Sequence, residues 1–441
     1  MPGFKDTLSK DISMESADIG SDVRRGRNRL AVTVILGHAV KHVFNSSLPL
    51  LLAMLKVDPK FALSATEYGV IAGVGRGTSG ATTMVAGYLG ERFANRAGIM
   101  LFVSLGLMGI SYFLLGIAPN FWWVLIVMLL VGIGPSLYHP PAIASLSRKF
   151  PDKRGFAISL HGTGGSVGEM IGPVIVGLLT TETFKVGTII TVTYLVAFEW
   201  HEVLKISVIP ALFFAVLVYW MMRDISTADT EIGSVKEYFG DLGQLLKSWG
   251  MIGLIIVTAM RSMGQSAIQY FLPLYLLTSM DDGGLGKDEL TVGFFLAGAQ
   301  VAGIVAQPIM GWVSDHYGRK IVLVPAMTLL GVLYIALNFS SDGYQLVLNI
   351  LFMGAFVYSL HTIFIAAAMD VSQGRAQSTV VSLIYGASFL GTVSPIIAGV
   401  LVDEFGLKSA FVYSGIVVLI STILLAILRL PKTINQQEVS H

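Results

Sequence analysis

Runs of roughly 20 apolar residues recur along the whole 441-residue chain, and few folds are open to such a sequence. That is the length of a helix crossing the hydrocarbon core of a bilayer. Inside that core each backbone N–H and C=O must find its partner within the protein. Composition agrees with this reading. The chain is 54% apolar and 13% charged, whereas a soluble chain carries about a quarter charged residues. Its 48 glycines suit helices whose backbones approach closely. The lack of cysteine removes disulfides, thiolate metal sites and cysteine nucleophiles. A formal charge of +1 points to no particular partner, nucleic acid included.

Twelve spans are expected, at 30–55, 66–89, 97–118, 121–147, 155–180, 203–222, 250–277, 289–313, 320–339, 344–369, 376–402 and 408–430. Residues 1–29 are polar, end in Arg24, Arg25, Arg27 and Arg29, and read as a cytoplasmic tail without a signal peptide. With both termini in the cytoplasm, the cytoplasmic segments hold 20 Lys/Arg and the outer loops six. Lys41, Arg76 and Arg261 remain, inside spans. That split supports an even number of spans. Residues 30–222 form a first six-helix bundle, 250–430 a second, and 431–441 a short tail. In the 223–249 linker, Val235, Phe239, Leu242, Leu246 and Trp249 fall on one helical face, as in a helix lying on the membrane surface. The outer connection 181–202 is rich in Thr, Val and Ile and reads as a small hairpin or cap.

The first span is the most unusual. It carries His38, Lys41, His42 and Asn45 near its middle, at i, i+3, i+4 and i+7, on one helical face. A lysine at that depth costs several kcal/mol without a partner, water or ligand. The face therefore lines a wet cavity.

The chain also repeats itself. Gly87-Tyr-Leu-Gly-Glu-Arg-Phe-Ala-Asn-Arg96 follows span 2, and Gly311-Trp-Val-Ser-Asp-His-Tyr-Gly-Arg-Lys320 follows span 8, 224 residues later. His139 recurs as His361 and Pro173 as Pro395, both 222 residues on. Three matches near one offset indicate a duplicated six-helix unit. A loop of the form G-x-x-x-D-R-x-G-R-K, present twice among twelve spans, resembles the major facilitator superfamily. The second copy differs at His316; the first has Glu91, Ala94 and Asn95 at signature positions. The runs Gly132-Ile-Gly-Pro-Ser-Leu-Tyr-His-Pro-Pro-Ala142 and Gly164-Gly-Ser-Val-Gly-Glu-Met-Ile-Gly-Pro173 are similar to the fosmidomycin-resistance efflux proteins, from which Glu169 departs.

The resemblance implies an all-α polytopic membrane protein of two pseudo-symmetric six-helix bundles, a monomer in the bacterial cytoplasmic membrane. It also implies a central cavity lined by spans 1, 2, 4, 5, 7, 8, 10 and 11. Glu91, Arg92, Asp315, Arg319 and Lys320 would form a cytoplasmic latch that holds the outward-facing state.

Every deep ionisable residue falls on a cavity-lining span. Lys41, Arg76 and Arg261 against Glu169 leave a positive cavity, which favours a carboxylate, phosphonate or phosphate gripped bidentately by Arg. Arg261, Gln265 and Gln269 recur at i, i+4 and i+8 on span 7. His38, His42, Asn45, Tyr138, His139, His161 and His361 complete the expected substrate contacts, and Gln300 adds a further hydrogen-bonding group. Glu169 is the expected proton carrier, since a carboxyl in a half-dry cavity can load and unload near neutral pH. No metal or other cofactor is expected. His38 and His42 supply two ligands, and spacing ties no third histidine or carboxylate to them. Gly73-Val-Gly-Arg-Gly77 lies mid-span without Gly-Lys-Ser/Thr, so it is no phosphate loop. The chain shows no nucleophile–base spacing of an enzyme. The function expected is proton-coupled efflux of a small organic anion. An importer of similar metabolites, or a non-transporting sensor on the same scaffold, are the alternatives.

Overall fold

The computed structural model describes residues 25–92, 96–186, 190–193, 197–225, 242–372 and 377–431. Its first half contains α1 (Arg27–Val57), α2 (Ala65–Arg92), α3 (Ala97–Gly116), α4 (Phe121–Ser136), α5 (His139–Lys149), α6 (Arg154–Thr180), α7 (Trp200–Ile206) and α8 (Val208–Met222). The second contains α9 (Trp249–Leu277), α10 (Glu289–Tyr317), α11 (Arg319–Ala336), α12 (Tyr344–Ser372), α13 (Gln377–Phe389), α14 (Ser394–Phe405) and α15 (Ser409–Ile427). Among the described residues, ten helical stretches are long and apolar enough to cross a membrane. Helices α1 (31 residues) and α2 (28 residues) are also long enough, and they are the ones that carry Lys41 and Arg76.

Three expected spans are each made of two helices. Span 6 is α7 with α8, and span 11 is α13 with α14 across a 3-10 turn at Leu390–Val393. Span 4 divides at Leu137-Tyr138, between Pro135 and the pair Pro140-Pro141. Proline has no backbone N–H, so a helix cannot run through such a cluster uninterrupted. The connection 181–202 does form a hairpin: β1 (Thr183–Val186) pairs antiparallel with β2 (Ile190–Thr193). In the linker, Val235 and Phe239 lie outside the described residues. Residues 242–245 form one helical turn, and Leu246 and Trp249 are exposed.

Within the first half α1 packs on α6, α2 on α4, and α3 on α8; within the second α10 packs on α12, α9 on α15, and α11 on α15. The halves meet through α6 with α10 and α2 with α14. These contacts are duplicated residue for residue. A Cβ on Gly69 would lie 2.1 Å from the Pro395 carbonyl oxygen, and one on Gly293 would lie 2.6 Å from the Pro173 carbonyl oxygen. The next pair is Gly177 against the Leu290 Cα and Gly399 against the Ala65 carbonyl oxygen. Beyond it, Asp403 accepts hydrogen bonds from the Ala65 and Thr66 N–H groups at 2.7 and 2.8 Å, and Thr181 accepts one from Leu290 N–H at 3.0 Å. Gly69 and Gly293 are 224 residues apart; Pro173 and Pro395, Gly177 and Gly399, and Thr181 and Asp403 are 222 apart.

All these contacts sit at the end of the bundle whose loops are poor in Lys and Arg. At the other end the same helices expose Val85, Phe156 and Trp312, and charged groups pair inside their own half. Arg27 meets Asp152, and Arg319 meets Asp315 and Asp370. The two halves are closed against each other at the face poor in Lys and Arg.

A side chain at Gly69 has no room while this face is closed. Overpacking costs about 1–3 kcal/mol, enough to shift a two-state balance by roughly ten- to a hundredfold. Gly69→Val should therefore open the closed face. In this cysteine-free chain, a single cysteine at buried Val292 should react faster with a membrane-impermeant maleimide in the Gly69→Val background. An unchanged rate would show that the contact does not control the face.

Candidate functional site

The break in span 4 builds the first part of the site. It places Tyr138 and His139 at the start of α5, beside α1. The Tyr138 hydroxyl donates to the Val34 carbonyl at 2.9 Å, and Tyr138 is fully buried. It fixes the break rather than facing the cavity as expected. On the opposite side α6 lies flat against α1, because a Cβ at Gly168 would reach to 2.1 Å from the Ala39 carbonyl oxygen. This approach brings His161 and Glu169 of α6 to the polar face of α1.

Four imidazoles and a carboxylate gather there around one ammonium. His38 Nδ1 lies 2.7 Å from the His161 carbonyl oxygen, so that nitrogen carries a proton and donates. Its Nε2 then offers a lone pair, 3.0 Å from His42 Nε2. His42 Nδ1 lies 2.8 Å from a Glu169 oxygen. Lys41 Nζ sits 2.9 Å from His139 Nε2 and 3.2 Å from His42 Nε2. The His161 ring stacks on His38, with centroids 3.6 Å apart. Lys41 is 4% exposed, whereas the Glu169 side chain keeps a third of its surface accessible. Gln300 of α10 reaches the same carboxylate from the other half. Asn45 lies one turn further along α1, half-buried.

Sequence spacing puts His38 and His42 together but says nothing of His139 and His161. Those two enter from other helices. The third histidine that spacing does not supply is thus provided by the fold: one ring nitrogen from each of His38, His42 and His139 lies within 4.8 Å of the others.

The second part of the site lies on α2 and α9. Arg76 donates to the Gln269 amide oxygen at 2.5 Å, a bond that crosses between the halves. Arg261, 2% exposed, donates to Gln265 at 3.1 Å and to the Val357 carbonyl at 3.5 Å, with its guanidinium 5.7 Å from the Phe364 ring centre. Arg261 and Gln265, four residues apart on α9, are bonded to each other, and Gln269 one turn on meets Arg76. Among the described residues neither arginine pairs with a carboxylate. The Nε of each is buried without a hydrogen-bond partner, as is Nε2 of His361. His361 packs against Tyr385, with ring centres 4.9 Å apart. Phe364 and the Val357 carbonyl were not expected at the site. Only the packing of α12 on α9 brings them there.

The cavity cations are thus divided. Lys41 is surrounded by imidazoles near Glu169, while Arg76 and Arg261 lie along α9 with amides and carbonyls for company. The expected latch is placed in part. Asp315, Arg319 and Asp370 form one cluster, and Lys320 donates to the Leu428 carbonyl at 3.0 Å, all within the second half. The side chains of Glu91 and Arg92 lie outside the described residues.

Known proteins resemble the chain throughout. A family model described as the Major Facilitator Superfamily matches residues 30–286 and 254–440. The chain is 26% identical over 340 residues to the multidrug resistance protein MdtG of Citrobacter koseri, covering 75% of this chain and 78% of that protein. Identity to MdtG of Enterobacter lignolyticus is 25%, covering 75% of each. Among solved structures, the nucleoside transporter NupG superposes with a TM-score of 0.70 at 11% identity, over 92% of this chain and 99% of that one. A bacterial homolog of the human lysosomal transporter Spinster, inward-facing and unoccupied, gives 0.68 at 16% identity, over 93% and 96%.

A guanidinium buried without a counter-charge costs stability, and functional sites are where such costs persist. Arg261→Met keeps the apolar stem and removes the charge. The melting temperature of the purified protein should stay level or rise. A fall of more than a few degrees would identify Arg261 as a structural group.

Proposed function

The chain belongs to the Major Facilitator Superfamily, and from that premise we propose that it expels a small organic anion in exchange for protons. Membership makes it a multi-pass membrane protein and a secondary transporter of a small molecule, not an enzyme. The finer reading rests on one observation: two guanidinium groups, Arg261 buried and Arg76 half-buried, neither of them paired with a carboxylate among the described residues and each with a buried, unpartnered Nε. Arginine presents donors in a planar fork that matches carboxylate, phosphonate or phosphate oxygens. An anion bound between them would replace the Gln265 and Gln269 amide oxygens as the acceptor, with His361 beside it. Lys41 contributes to the positive field from within the histidine cluster, rather than as a direct ligand of the same anion.

Glu169 is the proton carrier in this reading. It is accessible on one side and held to His42 and Gln300 on the other, so its protonation bears on both halves. Efflux across a bacterial cytoplasmic membrane, from a chain with both ends in the cytoplasm, is supported by the multidrug resistance names of the relatives and by the 20-to-6 distribution of Lys and Arg. In that orientation the closed face is the outer one, and the anion enters from the cytoplasm. When the outer face opens, Asp315 and Arg319, now paired with each other, come up against the loop of Glu91 and Arg92 and hold the cytoplasmic side shut. The fosmidomycin-resistance branch, whose substrate is a phosphonate, fits the same anion site.

Proteoliposomes with an internal pH dye test this reading. A panel of phosphonates, carboxylates and cationic drugs should give proton flux with anions alone. Arg261→Gln and Arg76→Gln should each weaken anion affinity by at least about thirtyfold, since truncating one partner of a buried charge pair costs about 2–5 kcal/mol. Glu169→Gln should exchange substrate without proton-driven accumulation. Flux with cations only, or unchanged anion affinity in both arginine variants, would end the proposal.

A further inference from the structure

We propose that His38, His42 and His139 form a binding site for a borderline divalent metal ion, Zn2+ or Co2+ in character, in which Lys41 is the built-in competitor. Imidazole suits these ions, and three protein nitrogens with one open position is a known coordination set for them. Three features carry the assignment.

The first is convergence. One ring nitrogen from each histidine lies within 4.8 Å of the other two, and His38 Nε2 and His42 Nε2 are already 3.0 Å apart. Zn–N bonds of about 2.0 Å in a tetrahedron set the nitrogens roughly 3.3 Å apart. Closing the triad therefore takes a shift of at most roughly 1.5 Å, and His139, at the first position of α5 beside the helix break, is placed to make it.

The second is the outer partners. A metal-binding histidine normally donates its far N–H to a carbonyl or carboxylate, which fixes the tautomer and aims the near lone pair at the ion. His38 does this through Nδ1 to the His161 carbonyl, 2.7 Å away. His42 faces Glu169 through Nδ1 at 2.8 Å. Both rings are thus oriented with Nε2 toward the centre. The spacing i, i+4 on α1 gives this pair, and Glu169 on α6 completes the carboxylate–histidine arrangement.

The third is the occupant. The group now at the centre is itself a cation. Lys41 Nζ lies within hydrogen-bond distance of His139 Nε2 and His42 Nε2. Between His38 Nε2 and His42 Nε2 a further proton is required, since two lone pairs 3.0 Å apart would repel. An ammonium and a proton together occupy the place of a divalent ion. Metal entry then releases one proton and swings the lysine aside, on a flexible four-carbon stem. The groups facing this centre are Lys41, His38 and His42 on α1, His139 on α5, and His161 and Glu169 on α6. Gln300 on α10 touches Glu169.

The site does not depend on the anion-transport reading, and its test uses binding alone. Tag-free, detergent-purified full-length protein is titrated with Co2+ at mildly alkaline pH, and the visible d–d bands of four-coordinate Co2+ are recorded. One Co2+ per chain should bind and be displaced by Zn2+. Lys41→Met should tighten binding by at least about tenfold, because removing a nearby cation relieves its repulsion of the ion. His38→Gln, His42→Gln and His139→Gln should each weaken it by about ten- to a hundredfold or more. His201→Gln, on α7, should leave it unchanged. Lys41→Gln serves as a second occupant-free variant if Lys41→Met does not fold. No saturable d–d spectrum in a lysine variant that melts like the parent would overturn the site. So would affinity unchanged by His139→Gln.

Discussion

A charge at bilayer depth has to be answered by something inside the protein, and this requirement organises the whole cavity. Lys41, buried on α1, is answered by the His139 imidazole lone pair and by the nearby field of Glu169. Arg76 and Arg261 are answered by amide and carbonyl oxygens, which carry only partial charge. The difference matters because the cost of an un-neutralised ion in a low-dielectric slab is several kcal/mol. A chain that only needed to fold could replace both arginines with leucine. That Arg76 bridges the two halves, and that both arginines keep unused donors, is what marks the place as a candidate site.

Closure of the molecule depends on a different constraint, close backbone approach. Without a hydrophobic drive between helices in lipid, contact comes from packing and hydrogen bonds. Glycine laid against a carbonyl does both α2–α14 and α6–α10, and the two copies are related by duplication. The pair is not identical. Asp403 accepts two backbone N–H groups and the Thr66 hydroxyl, whereas its counterpart Thr181 accepts one N–H and donates to Glu289. Asp403 thus makes three hydrogen bonds across the seal where Thr181 makes two.

Site and seal share α2. Tyr68, one residue from Gly69, donates to the Tyr270 carbonyl on α9 at 2.9 Å. Two turns along α2, Arg76 donates to Gln269, next to Tyr270. Arg76 and the Gly69 contact thus lie on one helix, α2. On the other side Gln300 connects Glu169 of α6 to α10, the second helix pair of the seal.

Apolar period and length, the Lys/Arg distribution and the repeated loops determined, from sequence alone, a helical membrane protein of two related halves. They also determined which residues would be expensive at depth, since a charge in a 20-residue apolar run is visible without coordinates. Spacing along one helix was equally legible: His38 with His42, and Arg261 with Gln265, meet because i and i+4 are neighbours on any α-helix. What crosses between helices was not. That His139 and His161 close on Lys41, that Tyr138 turns into the core, and that Asp315 pairs with Arg319 and Asp370 were decided by tertiary packing. So was the pairing of Gly69 with Pro395 and Gly293 with Pro173, although all four residues stand at the repeat offsets. Helix periodicity fixes angles about one axis; the distance and rotation between axes depend on which small residues let two backbones touch, and only the assembled fold sets that.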